Sequence, residues 1–473
     1  MGIVRPLSVK MREFKNVGYG YVALPSLGSA MSHAEIKPGD VTGIYGPNGS
    51  GKTALVEAFE LLRYVLMGMP VPFRSFSGML REKSAEIAVD FLVEEGEGKY
   101  YVTYGIVFSP DKAGEIIRLE QESMSFKERG YRWKKERAVV ITNGMYQEAE
   151  NLFSETDAKL TIIKDPQLGK SEILDENKGR KLASYCAMRG LSMLFCDAAA
   201  SRYDTQAHGE VATFYHLLKS LRSFAIEDLI IVGVSQWGAV NAGLFLPLNV
   251  HLTDKTEVVT GCLPLFQQGE GEMPERFFTA LEKSLVAVNQ VLHAIIPGLS
   301  IHVEQFQAYT DEAGTNMVKV RTYARRDGAK FLTRYESEGI KRIISLLHAM
   351  VFAYNCRGAC LVVDELDAGI FEYLLGDLVS VMFQNAKGQL IFTSHNLRIL
   401  ETIPCRNAVF TTTNKENRFI KLKVSGHNNN VRDSYLRALS LGGQEEELYS
   451  EMELDPLSFA LRDAWEAVNG GDA

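Results

Sequence analysis

The sequence predicts an α/β fold with an antiparallel β subdomain and a mainly helical insertion, and three observations predict it. A short apolar run, a glycine-rich loop and an apolar-periodic stretch follow one another over residues 40–67. Two more apolar runs, at 359–365 and 389–395, each end in polar or charged residues. Between 88 and 126 the chain is rich in β-formers, interrupted by turn residues.

The first run, Asp40-Val41-Thr42-Gly43-Ile44-Tyr45, follows the turn Pro38-Gly39 and reads as a strand. Gly46-Pro47-Asn48-Gly49-Ser50-Gly51-Lys52-Thr53 comes next, and residues 54–67 carry apolar side chains at helical spacing. Strand, loop and helix in this order are the context a phosphate-binding loop requires. Glycines let successive N–H groups turn inward, and the helix start adds partial positive charge, so Gly46, Asn48, Gly49, Ser50 and Gly51 are expected to enclose the phosphates of ATP. Lys52 is expected to reach the β- and γ-phosphates, and the Thr53 hydroxyl to ligate Mg²⁺.

Residues 88–93, 100–108 and 115–126 read as strands, with hairpin connections expected at Glu95-Gly96-Glu97-Gly98 and Ser109-Pro110-Asp111-Lys112. From 147 to 298 the pattern turns helical, with one apolar strand at 229–234. The last helix of this segment opens near Pro274 and stops at Pro297-Gly298. Its stripe of Phe278, Leu281, Leu285, Val288, Leu292 and Ile295 suits packing on the protein's own core, with a subunit interface as the other use. The expected domains are therefore 1–146, an N-terminal lobe with the phosphate loop and β subdomain; 147–298, the insertion; and 299–473, a C-terminal lobe.

That last lobe holds the groups an ATPase needs beyond its phosphate cradle. Ser337-Glu338-Gly339 precedes an apolar-periodic helix over 340–354, with Ser337 placed as N-cap, so a second helix start is available for anion binding. The strand 359–363 runs into Asp364 and Glu365: the first is expected near Mg²⁺, the second to polarise the attacking water. A further strand, 389–394, delivers His395, whose neutral imidazole is suited to a hydrogen bond with the γ-phosphate. Two phosphate-directed helix ends in one chain suggest a head-to-tail dimer in which each nucleotide is held by the loop of one subunit and by Ser337-Glu338-Gly339 of the other.

Composition narrows the function classes. With 51 Lys and Arg against 59 Asp and Glu, the net charge of −8 argues against a surface built mainly for nucleic acid, leaving Arg132-Trp133-Lys134-Lys135 and residues 321–334 as local basic runs. The six cysteines show neither CxxC pairing nor ligand spacing, as expected of reduced core thiols. No apolar run reaches the ~18 residues of a membrane span, and the N-terminus lacks the apolar core of a signal peptide. A cytoplasmic protein without membrane contacts is expected.

Taken in order, Gly46 to Thr53, Ser337-Glu338-Gly339, Val363-Asp364-Glu365 and His395 resemble the ATP-binding cassette site in the form used by SMC and OLD-like soluble ATPases. The signature Glu336-Ser337-Glu338-Gly339-Ile340-Lys341-Arg342 is similar to the Glu-Ser-Glu-Gly version of bacterial OLD-like ATPases and departs from the Leu-Ser-Gly-Gly-Gln of transporters. No Toprim nuclease domain fits in the residues after His395. The segment 428–449 is similar to the C-terminal part of ATPases that act beside a separate nuclease in antiphage systems, most of all the ATPase subunits of PARIS systems. The resemblance implies a slow, regulatory ATPase using ATP and Mg²⁺, a homo-oligomer, a separate Toprim-like nuclease effector, and a phage-encoded trigger protein. An SMC-like clamp on DNA is the alternative it leaves open. Phe371 stands where relatives often have histidine, and Gln121, Gln147 and Gln167 are three candidates for a γ-phosphate-sensing glutamine.

Overall fold

The computed structural model describes residues 2–29, 33–80, 84–129, 137–142, 145–147, 161–162, 185–186, 188–197, 209–234, 245–253, 258–266, 269–423, 430–449 and 454–469. In chain order the first strands are β1 (Ile3–Phe14), β2 (Val17–Ala23) and β3 (Asp40–Tyr45), which leads through the phosphate loop into α1 (Lys52–Leu66). Then come β4 (Ala85–Glu95), β5 (Gly98–Asp111), β6 (Ile116–Glu128), β7 (Arg137–Thr142), β8 (Met145–Gln147) and β9 (Thr161–Ile162). The middle of the chain carries α2 (Gly209–Ser223), a π-helical turn at Phe224–Asp228, β10 (Leu229–Val232), β11 (Phe245–Thr253), β12 (Val258–Phe266), β13 (Glu270–Pro274) and α3 (Glu275–Ile295). After β14 (Leu299–Thr310), β15 (Asn316–Arg326) and β16 (Ala329–Phe331) follow α4 (Glu338–Asn355), β17 (Cys360–Val363), α5 (Glu372–Asn385), β18 (Gln389–Ser394), β19 (Ala408–Thr411), β20 (Phe419–Ile420), α6 (Val431–Leu441) and α7 (Leu454–Asn469).

The half that carries the glycine-rich loop is built on a sheet of order β10-β17-β18-β3-β19-β20, parallel throughout except for the β19–β20 pair. Its strands read as unbroken apolar runs because both faces are covered, as a parallel sheet requires. Side chains alternate between two cores. Ile44, Cys360, Val362, Ile391 and Val409 face the core that holds α1. Tyr45, Leu361, Val363, Leu390, Phe392 and Phe410 face the core built by α3, α4 and α5. Each fully buried aliphatic among them contributes roughly 1.5–3 kcal/mol.

On the far side of α1 lies the antiparallel sheet β2-β1-β4-β5-β6-β7-β8, with β9 against β7. The turn after β5 comes later in the chain than Ser109–Lys112: Pro110 pairs with Ile117, and Asp111 Oδ1 accepts the amides of Ala113 and Gly114 at 3.1 and 3.2 Å. Local capping by an aspartate thus outweighs the Ser-Pro turn signal. The two sheets are fastened by Arg5, fully buried in β1. Its guanidinium reaches Asp40 Oδ2 at 3.4 Å and donates to the carbonyls of Arg357 at 2.5 Å and Lys387 at 3.1 Å.

The middle segment differs from a mainly helical stretch with one strand, since its described residues also hold β9, β11, β12 and β13. Its expected strand is β10, an edge of the central sheet in register with β17. Phe214, Leu217, Leu218 and Leu221 of α2 lie in the core shared with α1, while the apolar stripe of α3 lies in the core shared with α4. That stripe serves the chain's own core.

At the C-terminal end α6 packs on β19, with Tyr435 stacked on Phe410 at 4.6 Å. Cys186, Cys196, Cys356, Cys360 and Cys405 form no disulfide. No described helix is long and apolar enough to cross a membrane.

Asp228 closes the π-helical turn before β10. Burial raises its pKa to about 6, helped by Glu227 and opposed by Arg5. Its contribution to stability is most favourable below the ordinary carboxylate value and is lost as pH rises through about 6, so the ionised form costs the fold roughly 2–3 kcal/mol. Asp228→Asn is expected to raise the melting temperature at pH 8, with roughly half that gain at pH 5. A gain that does not change between these two pH values in thermal unfolding would remove the burial account.

Candidate functional site

The loop after β3 is shaped for a polyphosphate. Gly51 caps α1 with φ of 96°, a left-handed conformation that side chains with a Cβ rarely adopt. Lys52 opens the helix, 6% exposed, and its ammonium donates to the carbonyls of Gly46 at 2.8 Å and Pro47 at 2.9 Å. Burial lowers the Lys52 pKa, against the pull of Asp364, Glu365 and Asp367. Ser50 Oγ donates to the Pro47 carbonyl at 2.7 Å and accepts from Thr411 Oγ1 at 2.6 Å, so β19 braces the loop from the side. Asn48 and Gly49 are exposed at its tip, where the Gly49 carbonyl accepts from Asn16 Nδ2.

The acidic strand end faces this loop. Asp364, 1% exposed, accepts Thr393 Oγ1 at 2.5 Å on Oδ1, and the same oxygen lies 3.4 Å from Thr53 Oγ1. Thr393 Oγ1 also accepts the Glu365 amide at 2.8 Å, so one hydroxyl of β18 positions both acids. Glu365 has φ of 48°, a strained conformation for a residue with a Cβ. The His395 amide donates to Asp367 Oδ2 at 3.0 Å. Burial and then the Lys52 charge push the His395 pKa down, against Asp367, Glu365 and Asp364, which leaves a neutral imidazole at pH 7.

A cleft of about 360 Å³ brings Asn48, Gly49, Ser50, Gly51, Lys52 and Thr53 together with Asp364, Glu365 and His395. Gly46 lies behind the loop as an acceptor for Lys52. Lys15 and Asn16, from the β1–β2 turn, also line the cleft, although in sequence they read as ordinary turn residues. Thr393 and Thr411 likewise gave no signal beyond strand propensity; their roles depend on neighbours that only the sheet supplies.

Ser337, Glu338 and Gly339 do not line this cleft. Ser337 is the N-cap of α4, its hydroxyl accepting the Ile340 amide at 3.3 Å, and both Ser337 and Glu338 are exposed. A Cβ built on Gly339 would run into the carbonyl oxygen of Gly369, in the loop that follows Glu365. Phe371, at the end of that loop, is 68% exposed and stacks on Tyr373. Of the three glutamines, Gln121 sits in β6 of the antiparallel sheet and not in the lining of the cleft. The Gln147 side chain and Gln167 lie outside the described residues.

The donor set fits Mg²⁺ carried on a nucleotide. One hydroxyl and one carboxylate meet at the cleft, and the described residues contain no group of three or more His, Cys, Asp or Glu able to hold a metal by themselves. Mg²⁺ is commonly bound in this way, through one or two protein oxygens plus phosphates and water.

A family model described as an AAA domain matches residues 30–202, which include the phosphate loop. No curated protein matches the chain. Among solved structures, the SMC head domain from Thermotoga maritima is 12% identical, with 89% of this chain and 100% of that chain covered and a TM-score of 0.35. The Smc head domain from Pyrococcus furiosus, solved with an extended coiled coil and bound to the C-terminal domain of ScpA, is 11% identical over 89% of this chain and 97% of that one, with a TM-score of 0.38. The AAA-domain match covers the loop between β3 and α1, and the cleft that this loop lines lies at the end of a parallel sheet, an arrangement consistent with a P-loop ATPase fold.

Proposed function

We propose that the chain is a slow ATP-hydrolysing switch that pairs head to tail with a second copy and holds or releases a separate nuclease-like effector in a bacterial antiphage complex. One observation supports the ATP part: Lys52 and Thr53 from α1, Asp364 and Glu365 from the end of β17, and His395 from the end of β18 converge on a single cleft. The antiphage part rests on the resemblance carried by residues 336–342 and 428–449.

In this reading Lys52 turns from the Gly46 and Pro47 carbonyls to the β- and γ-phosphates. Thr53 and Asp364 hold Mg²⁺, which neutralises developing phosphate charge when bound. Glu365 orients a water and accepts its proton, and neutral His395 donates to a γ-phosphate oxygen. Ser337 and Glu338 stay exposed on their own subunit, with Gly339 half-buried beside them, as suits groups that complete the nucleotide site of a partner. Contacts made only while the γ-phosphate is present give the closed pair its ATP dependence.

The DNA clamp draws little support from the basic run at 321–334. Arg321 pairs with Glu270 at 2.7 Å, Lys330 with Glu304 at 3.4 Å, and Arg326 with Glu336 at 2.8 Å; beside them Lys319 pairs with Glu272 at 3.5 Å. Three of the five cations in the run are thus matched by carboxylates, while Arg325 and Arg334 lie over the rings of Tyr323 and Tyr335, which lowers the positive potential left for phosphates. Residues 132–135 lie outside the described residues.

The test is a pull-down of tagged Glu365→Gln protein from its native host with flanking genes intact, read by mass spectrometry. A stoichiometric small nuclease-like protein is expected. Recovery of DNA with repair factors in its place would reverse the assignment in favour of the clamp.

A further inference from the structure

Arg342 lies in α4, one and a half turns beyond Ser337, and is 2% exposed. Its Nη2 donates to the backbone carbonyl of Asp364 at 2.7 Å and to that of Glu365 at 3.1 Å. Burying a guanidinium is costly, and an apolar side chain would fill the same space more favourably. What the guanidinium gives in return is a rigid planar group that fixes one nitrogen, Nη2, between two successive carbonyls.

Those carbonyls belong to the strained step of the site. Glu365 holds φ of 48°, and such a conformation persists where surrounding contacts over-determine it. Here the Asp364 amide is held by the Val232 carbonyl of β10 at 2.9 Å, the Glu365 amide by Thr393 Oγ1 at 2.8 Å, and the Leu366 amide by the Thr393 carbonyl at 3.0 Å. Arg342 supplies the hold from the remaining side, that of α4. The same helix touches the other end of the loop, because Gly339 packs against the Gly369 carbonyl so closely that a Cβ on Gly339 would not fit. Helix α4 therefore grips the loop 365–369 at both ends, and the exposed cap Ser337 belongs to the same rigid element.

We propose that Arg342 is a positioning residue: it locks the Asp364-Glu365 backbone so that the Glu365 carboxylate faces the cleft, and it makes α4 a lever through which occupancy at the Ser337 end changes the placement of Glu365. This rests on the assignment of Glu365 as the base. A displacement of α4 along its axis moves Arg342 and Gly339 together, so the base is brought to the water or withdrawn from it without rearrangement of the phosphate loop.

The test uses the full chain with Arg342→Lys, which keeps the charge but lacks the planar guanidinium that fixes Nη2, and Arg342→Gln as the second variant where the first fails to fold. Hydrogen exchange of the nucleotide-free protein is expected to show faster exchange at the amides of 364–369, with protection of β3 and α1 unchanged. The maximal rate of ATP hydrolysis is expected to fall roughly 10- to 100-fold, as small misplacements of a catalytic group do, with ATP affinity within about threefold of wild type. In a Glu365→Gln background the same substitution is expected to cost nothing further, because no base remains to be placed. Unchanged exchange at 364–369, or the same fold loss in both backgrounds, would reduce Arg342 to a structural residue. Slow hydrolysis by Glu365→Gln with wild-type rates in Arg342→Lys would overturn the role of Arg342 alone. Wild-type hydrolysis by Glu365→Gln would overturn the base assignment and this role with it.

Discussion

Glu365→Gln is expected to keep its affinity for Mg²⁺-ATP while its hydrolysis rate falls about 10²- to 10⁴-fold, the usual worth of a positioned general base. The backbone of Glu365 is placed by groups outside its own side chain: Thr393 Oγ1 takes its amide and Arg342 its carbonyl. Glutamine at this position therefore keeps the loop geometry and the side-chain volume, and removes only the ability to accept a proton. Equilibrium ATP binding and single-turnover hydrolysis, measured on the same preparation, separate the two effects. If hydrolysis proceeds at the wild-type rate, the water is activated by another group of the cleft, and Asp364 and His395 are the next residues to test.

Lys52→Ala is expected to lose ATP binding by about 10²-fold or more. Two charge-assisted contacts to phosphate are worth about 1.5–3 kcal/mol each, and each 1.4 kcal/mol is a factor of ten in affinity. In the nucleotide-free protein the ammonium instead donates to two loop carbonyls, at the cost of partial burial. The substitution is thus expected to leave thermal stability nearly unchanged while abolishing the stabilisation that added Mg²⁺-ATP gives. A thermal shift with nucleotide as large as that of the wild type would show that Lys52 does not touch the phosphates.

Much of the catalytic half was legible because its strands and loop carry local signals. The run 40–45, the glycine loop and the apolar strand ends at 364 and 395 each announce themselves within a few residues, and the structure places strands β3, β17 and β18 side by side on one sheet. Residues whose role is set by distant partners were not legible. Thr393 looks like any β-branched strand residue until Asp364 and the Glu365 amide are set on either side of its hydroxyl. Asn16 looks like a turn former until the β1–β2 hairpin brings it to the Gly49 carbonyl. The strand read over 229–234 forms at Leu229–Val232, two residues shorter, but nothing local says that its neighbour is β17, far along the chain. The β11–β12 hairpin was hidden for a related reason, since strand propensity depends on what the pleated surface packs against.

The order of the central sheet has a consequence for how the protein is made. Strand β3, which carries the phosphate loop, hydrogen-bonds to β18 on one side and to β19 on the other. Neither neighbour exists until the ribosome has passed residues 389–394 and 408–411. At ordinary translation speeds this leaves β3 with two open edges for on the order of tens of seconds. An apolar strand with unpaired amides and carbonyls is a template for association with any other extended chain. The nascent protein must therefore be shielded until its last third is made, and a chain that stops short of β18 is expected to aggregate, not to persist as a partial nucleotide-binding unit.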